Sequence, residues 1–330
     1  MLDDLPPGGM IRIEWHGENL FVGETRENPY RLFPQWPFPD KMKMVFRPAP
    51  QIMGSSFSAT KGEEEMAKVP GEKIRENHAM EKKKIKLELA FKLRRLATKL
   101  GGDLLGVASP ELLSAAPEGF RPQDILPGCR SVIVVGKGLS DATVETTPSR
   151  MFDNMYAATN SFLEYLILQI TDTLIREGYR AVAIGPHSLD GKLFMGDISQ
   201  KHAAVAAGLG RFGLQSLVLT PEFGPRQRWG VVITQAPLQF GTPMTEELCQ
   251  REKCGQACLK NCPAKVFSLP QTEGVLDPNF LPGGLWYYWK IDKSACSTYR
   301  ANRKKELGWV TEGGHACAVC LKVCPVGQRV

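Results

Sequence analysis

No run in the 330 residues approaches the ~20 consecutive apolar residues that a membrane-spanning helix needs. The opening "MLDDLPPGGM" is acidic and rich in Pro and Gly where a signal peptide would be basic and then apolar. Arg94 and Arg95 lie deep in an amphipathic pattern and are not read as a twin-arginine signal. A cytoplasmic protein is the expectation. Charge of one sign is not massed anywhere either: the formal net charge is +6, but Lys and Arg are scattered, which argues against a dedicated nucleic-acid surface. Cysteine is nearly absent from the first 248 residues, where Cys129 stands alone. The other eight fall between 249 and 324, and an odd total of nine with such lopsided placing does not suit a disulfide framework. Thiols so clustered, with no export signal, point to metal ligation.

What is present divides the chain in three. Residues 1–80 are Pro-, Gly- and charge-rich without sustained periodicity, and read as an irregular extension with short strands around "MIRIEWHGENLFVG". From Glu81 a helix is expected, because Ile85, Leu89, Leu93, Leu96 and Leu100 share one face before "GGD" stops it. "LLGVA" reads as a strand. In "DILPGCRSVIVVGKGL" the run Ser131 to Val135 predicts a strand covered on both faces. A helix of about 24 residues from Met155 follows, with Ala158, Phe162, Leu166, Ile170 and Leu174 on one face. "YRAVAIG", "SLVLTPEFG" and "RWGVVITQAPL" predict further strands, with the small-residue helix "SQKHAAVAAGLG" between the first two. Residues 81–240 therefore read as an α/β or α+β sandwich, and the abrupt change after Leu238 as a boundary to a cysteine-rich module at 241–330.

The first cysteine run is "LCQREKCGQACLKNCPAK", with Cys249, Cys254, Cys258 and Cys262; the second is Cys296, then Cys317, Cys320 and Cys324. Each ends in C-x3-C-P. A [4Fe-4S] cubane needs four thiolates at tetrahedral corners, and in two-cluster ferredoxins the last cysteine of each run serves the other cluster while the proline turns the chain away. On that crossed pattern Cys249, Cys254, Cys258 and Cys324 hold one cluster, and Cys262, Cys296, Cys317 and Cys320 the other. Two four-thiolate zinc sites would use the same eight residues and stay open as an alternative. Cys129 is read as a buried, inert thiol.

The phrase "QKHAAVAAGLGRFGLQSLVLTPEFGPRQRWGVVITQAPL", Gln200 to Leu238, followed by the double cysteine run, resembles the corrinoid-dependent iron-sulfur reductases. That superfamily comprises epoxyqueuosine reductases and reductive dehalogenases, and the resemblance covers roughly residues 85 to 326. It implies a nitroreductase-like sandwich holding cobalamin, followed by a ferredoxin-like module with two [4Fe-4S] clusters. It further implies an oxygen-sensitive oxidoreductase fed by a ferredoxin or flavodoxin, acting on a small organic molecule by dehalogenation or reductive elimination. Gly208, Gly210 and Gly213 are candidates for close approach of a flat corrin, or else for tight turns, and His202 is a candidate cofactor contact.

Reductive dehalogenases use a tyrosine as proton donor, which makes Tyr156 the catalytic candidate. The similar place in epoxyqueuosine reductases carries an Asp, which "NMYAATNSF" lacks, and the helical-repeat tail that grips tRNA is not found before Val330. Epoxyqueuosine reduction in tRNA, and nucleic acid as a partner, are therefore not expected. The family's lysine after the last glycine is replaced by Leu214. An electron-transfer protein with two clusters and no corrinoid is the rival reading, and a flavin in the sandwich is a third. His187, Asp190, Arg226 and Arg228 are further polar candidates, the two arginines expected at a solvated strand end. Lys290, Lys293, Arg300, Arg303, Lys304 and Lys305 could steer an acidic donor protein, or form a solvated helix face.

Overall fold

Continuous burial along the first six residues of "SVIVVGKG" sets the architecture, because both sides of this strand are covered by different apolar layers. The computed structural model describes residues 10–16, 19–25, 87–187, 195–267, 291–308 and 317–328. The chain falls into two units, Met1–Glu63 and Glu64–Val330. In the first, β1 (Met10–His16) and β2 (Asn19–Thr25) pair antiparallel from Met10 against Thr25 to His16 against Asn19, where short strands were expected.

The second unit is built on a four-stranded sheet of β3 (Leu104–Ala108), β4 (Ser131–Gly138), β5 (Ala181–Ile184) and β8 (Gln227–Thr234). The order is β3-β4-β8-β5 and every pairing is antiparallel, so the α+β half of the expectation describes the sheet. Between β5 and β8 lie the short β6 (Arg211–Phe212) and β7 (Val218–Leu219), which pair only with each other. "SLVLTPEFG" is thus not the full strand expected: Pro221 and Gly224 bring the chain round so that Thr220 bridges Gly224.

Along β4, Ile133 and Val135 face a layer made by Leu89, Leu93 and Ala97 of α1 (residues 87–99) and by Leu163, Leu166, Ile167, Ile170 and Leu174 of α4 (Arg150–Arg176). Val132 and Val134 face the other way, onto the alanine-rich α5 (Gln200–Ala206). A strand between two layers needs apolar residues on both pleats, which explains its unbroken apolar run. The small side chains of α5, with Ala203, Ala204 and Ala206 all buried, let it lie close to the sheet.

The start of α4 differs from the sequence expectation. Ser149 caps it, its hydroxyl accepting from the Phe152 amide at 3.1 Å, so the helix begins at Arg150 rather than Met155. Ala158 is exposed, and the inner face continues instead through Asn160, Thr159, Asp153 and Phe152. Two short helices precede it, α2 (Pro122–Ile125) and α3 (Asp141–Glu145). After the sheet come α6 (Ala257–Lys260), α7 (Lys293–Glu306) and α8 (Val319–Lys322), which carry or flank the eight cysteines. No helix among the described residues is long and apolar enough to cross a membrane.

Candidate functional site

The eight cysteines come from loops and helix ends that tight turns fold together. Gly255 and Gln256 both take positive φ, which brings the chain sharply into α6 so that Cys254 precedes it, Cys258 lies on it and Cys262 follows it. Cys296 sits in the first turns of α7, Cys320 on α8 and Cys324 just beyond. All are free thiols.

Their electrostatic neighbours sort them. Burial, then the charges of Cys324, Cys249 and Cys254, push the Cys258 thiol up to about 12. Cys324 is pushed up by burial, with Cys249 and Cys254 beside it. Cys320 is raised by burial and then by Cys317, Cys296, Cys258 and Cys262, while Cys317 and Cys296 each have Cys262 near. These interactions connect Cys258 and Cys324 with Cys249 and Cys254, connect Cys317 and Cys296 with Cys262, and join the two sets at Cys320, which has Cys258 as well as Cys262 near. Cys258 and Cys262 share an apolar cluster with Leu214, Leu259, Val266 and Phe267, on which Cys249, Cys296 and Cys320 also pack. A cavity of about 350 Å³ opens where Gln250, Lys253, Cys254 and Ala257 face Val323 and Pro325. Among the described residues no three His, Cys, Asp or Glu side chains converge tightly enough to hold a single metal ion. Buried thiols held protonated in this way become ligands only when a cationic centre offsets their charge.

A second group of polar residues lies on the sandwich. Arg228 of β8 lays its guanidinium 4.4 Å above the ring centre of Tyr156. Its Nε donates to Asn160 Oδ1 at 2.9 Å and its Nη2 to the Pro186 carbonyl at 3.2 Å. Arg228 thus belongs to a packed group rather than a solvated strand end, because α4 crosses β8 at this point. With Oδ1 committed, the buried Asn160 is left with Nδ2 as a donor that has no partner among the described residues. Lys201 Nζ donates to the Ser216 carbonyl at 2.7 Å, and burial, then Lys293 and Arg228, pull its ammonium down to about 8.

Other candidates are occupied by the chain itself. His202 is buried against Phe212, ring centres 4.9 Å apart, with Nδ1 2.5 Å from the Ser199 hydroxyl, and burial holds it down to about 3. A Cβ on Gly208 would lie 2.2 Å from the Thr242 carbonyl oxygen, one on Gly210 2.1 Å from that of Leu219, and one on Gly213 2.4 Å from Gln215 Oε1. The close approach these glycines permit is to the protein's own atoms. His187 is exposed, and Asp190 and Lys290 lie outside the described residues. Cys129 is buried, donates to the Ser131 carbonyl at 3.6 Å, and is pushed up to about 11, chiefly by burial. Of the basic group near the second cysteine run, Lys304 pairs with Asp153 at 3.2 Å, Arg303 with Glu306 at 3.1 Å, and Arg300 Nε donates to the Cys296 carbonyl at 3.3 Å.

Arg226, expected at a solvated strand end, is instead 2% exposed and sits under the C-terminal segment. The reason is tertiary: residues 324–327 cross over the Thr220–Gly224 turn and bring carbonyls that a buried guanidinium must satisfy. Lys201 and Gln215 carried no sequence signal, since only the fold buries them.

No family model matches the chain. It is 30% identical over 226 residues to a tetrachloroethene reductive dehalogenase of Sulfurospirillum multivorans, covering 66% of this chain and 40% of that protein. It is 28% identical over 242 residues to an epoxyqueuosine reductase of Gloeobacter violaceus, covering 71% of this chain and 68% of that protein. The chain thus spans less than half the length of the first relative. A solved reductive dehalogenase, for which a B12-dependent dehalogenation mechanism is suggested, shares the fold with a TM-score of 0.53 at 20% identity, over 72% of this chain and 31% of that one.

Proposed function

We propose that this chain, a homologue of the reductive dehalogenases and epoxyqueuosine reductases, is an oxidoreductase that holds two [4Fe-4S] clusters and a corrinoid and reduces a small organic molecule by dehalogenation or reductive elimination. The observation that supports the proposal is the meeting of the two cysteine runs: Cys324 of the second packs in one small apolar cluster with Cys249 of the first, and Cys296 and Cys320 pack in another with Cys258 and Cys262. The C-x3-C-P ending of both runs suits a cubane better than zinc. Cys249, Cys254, Cys258 and Cys324 would hold one cluster, and Cys262, Cys296, Cys317 and Cys320 the other.

When bound, the clusters relay single electrons and the corrinoid supplies a low-potential metal centre that no side chain can replace. The chain's own contribution lies in Tyr156, Arg228 and Asn160. Tyr156 carries the phenol that would hand a proton to the reduced substrate, and the guanidinium over its ring fixes the ring. Asn160, turned by Arg228, offers Nδ2 to an acceptor on the substrate. Leu214, in the place of the family's lysine, packs on the apolar cluster beside Cys258. The corrinoid draws its support from kinship. Gly208, Gly210, Gly213 and His202 add no support of their own, because the chain's own atoms lie where each glycine's Cβ would be and His202 Nδ1 is bound to Ser199.

That packing favours a second reading, an electron carrier with two clusters and no corrinoid. Epoxyqueuosine reductase homologues act on tRNA, so the expectation against nucleic acid does not stand as an exclusion, and a tRNA-borne epoxide joins the substrates to screen. Iron, sulfide and cobalt per chain decide between these, measured with EPR on anaerobically purified protein incubated with hydroxocobalamin. About eight irons and one cobalt support the reductase, and about eight irons with no cobalt retained support the carrier. Fewer than about four irons sinks both.

A further inference from the structure

Arg226 spends a buried guanidinium on the main chain of a distant segment. Its Nη1 donates to the Val326 carbonyl at 2.8 Å and its Nη2 to the Cys324 carbonyl. Nε lies 3.3 Å from Asp141 Oδ1, which balances the charge. The contact is reinforced by backbone on backbone: a Cβ on Gly224 would meet the Val326 oxygen at 1.8 Å, and one on Gly327, at φ +63°, would meet the Gly224 nitrogen at 2.0 Å. Leu219 and Val326 close over Cys324 in a small apolar cluster that reaches Cys249. Farther up the same segment, the Ala318 amide donates to Thr147 Oγ1 at 2.9 Å.

Cys324 is also the one member of the first thiol group that arrives from the second run. Cys249, Cys254 and Cys258 lie within ten residues of one another and are placed by local turns, whereas no local turn can place Cys324. We propose that Arg226 is the positioning residue for Cys324: by gripping the carbonyls of Cys324 and Val326 from the turn before β8, it sets the fourth thiol against the other three and so ties completion of that cluster to the folded sandwich. The inference rests on the two-cluster reading. It adds that one arginine outside the cysteine-rich module decides whether one cluster, and not the other, is retained.

The test uses the full chain in two states. In anaerobically purified, cluster-loaded protein, Arg226→Gln is expected to lose about four irons per chain while the EPR signal of the other cluster persists. In chelator-stripped, reduced protein, mass spectrometry follows alkylation of each cysteine. Cys324 should label about tenfold to a hundredfold faster in Arg226→Gln than in the wild type, with Cys129, inside the sandwich core, unchanged. Arg226→Lys, which keeps the charge and one donor but not the fork, should fall between the two. Gly327→Ala, whose Cβ would press on Gly224 and Phe223 from the C-terminal segment, loosens the same joint from the other side with Arg226 left in place, and should reproduce the Arg226→Gln pattern even if that variant folds poorly. Wild-type labelling of Cys324 in both Arg226→Gln and Gly327→Ala would overturn the proposal, as would equal loss of both clusters in both variants. A wild type that binds no iron defeats the two-cluster reading instead, and the labelling experiment still decides the grip of Arg226.

Discussion

Replacing Lys304 with Met should cost more than the loss of a surface charge pair. Asp153 lies in the first turn of α4 with no exposed surface, and Lys304 of α7 approaches its Oδ2 at 3.2 Å while staying 20% exposed. Neither carboxylate oxygen has a hydrogen bond among the described residues, so the ammonium charge is the main compensation, helped by the N-terminal end of the helix. Removing one partner of a wholly buried pair costs ~3–5 kcal/mol. Water reaches the lysine side here, and the helix terminus goes on favouring the carboxylate, so about 2–3 kcal/mol is expected for Lys304→Met. Asp153→Asn removes the buried charge along with the attraction and should cost nearer ~1 kcal/mol. The double variant should recover a coupling of ~1–2 kcal/mol. Urea unfolding of the reduced full chain reads all three as shifts in midpoint at unchanged slope. A Lys304→Met midpoint within about 0.5 kcal/mol of the wild type, or a coupling of zero, would refute the reasoning. Because α7 also carries Cys296, the same variant should speed its alkylation.

Tyr156→Phe keeps the ring beneath Arg228 and removes only the proton, so turnover of a substrate the wild type reduces should fall ~100-fold or more with iron content unchanged; a fall under about twofold would exclude Tyr156 as donor. His202 is held down to about 3 by burial, against ~6.5 unfolded, so its share of stability is complete above pH ~6.5 and is lost as pH falls toward 3, by up to ~1.4 kcal/mol per pH unit. His202→Gln should flatten that part of the urea-midpoint profile relative to the wild type, and an unchanged slope would mean the ring is not kept neutral. Cys262→Ala should cost about four irons and leave the cluster that includes Cys258; retention of both clusters would rule out crossed ligation.

What could be read from the sequence was whatever short-range pattern controls. The two-faced burial of β4 shows in its unbroken apolar run, the inner stripe of α4 in Leu166, Ile170 and Leu174, and the cysteine runs in their spacing. The first turns of α4 escaped because their buried residues are polar: Asn160 takes its partner from β8, Asp153 from α7, and Thr159 donates back to the Met155 carbonyl of its own helix. Arg226 and Arg228 looked alike, two basic residues at a strand start, yet one lies beneath a segment about a hundred residues away and the other stacks on Tyr156. Three glycines suggested room for a flat ligand, but a missing Cβ does not say which neighbour approaches, and here it is Thr242, Leu219 and Gln215. Partners distant in sequence leave no periodic trace.

The joint between residues 249–258 and Cys324 also imposes an order in time. During synthesis at ~5–20 residues per second, Cys258 is added to the chain roughly 3–13 s before Cys324. For that interval three neighbouring thiols have no fourth, while the turn that carries Arg226 has already been made. On the two-cluster reading one corner of that site stays open through this interval, and an oxidant that finds it then can pair those cysteines wrongly. How well the protein is made should depend on translation speed and oxygen tension together, even where the finished fold is indifferent to the first.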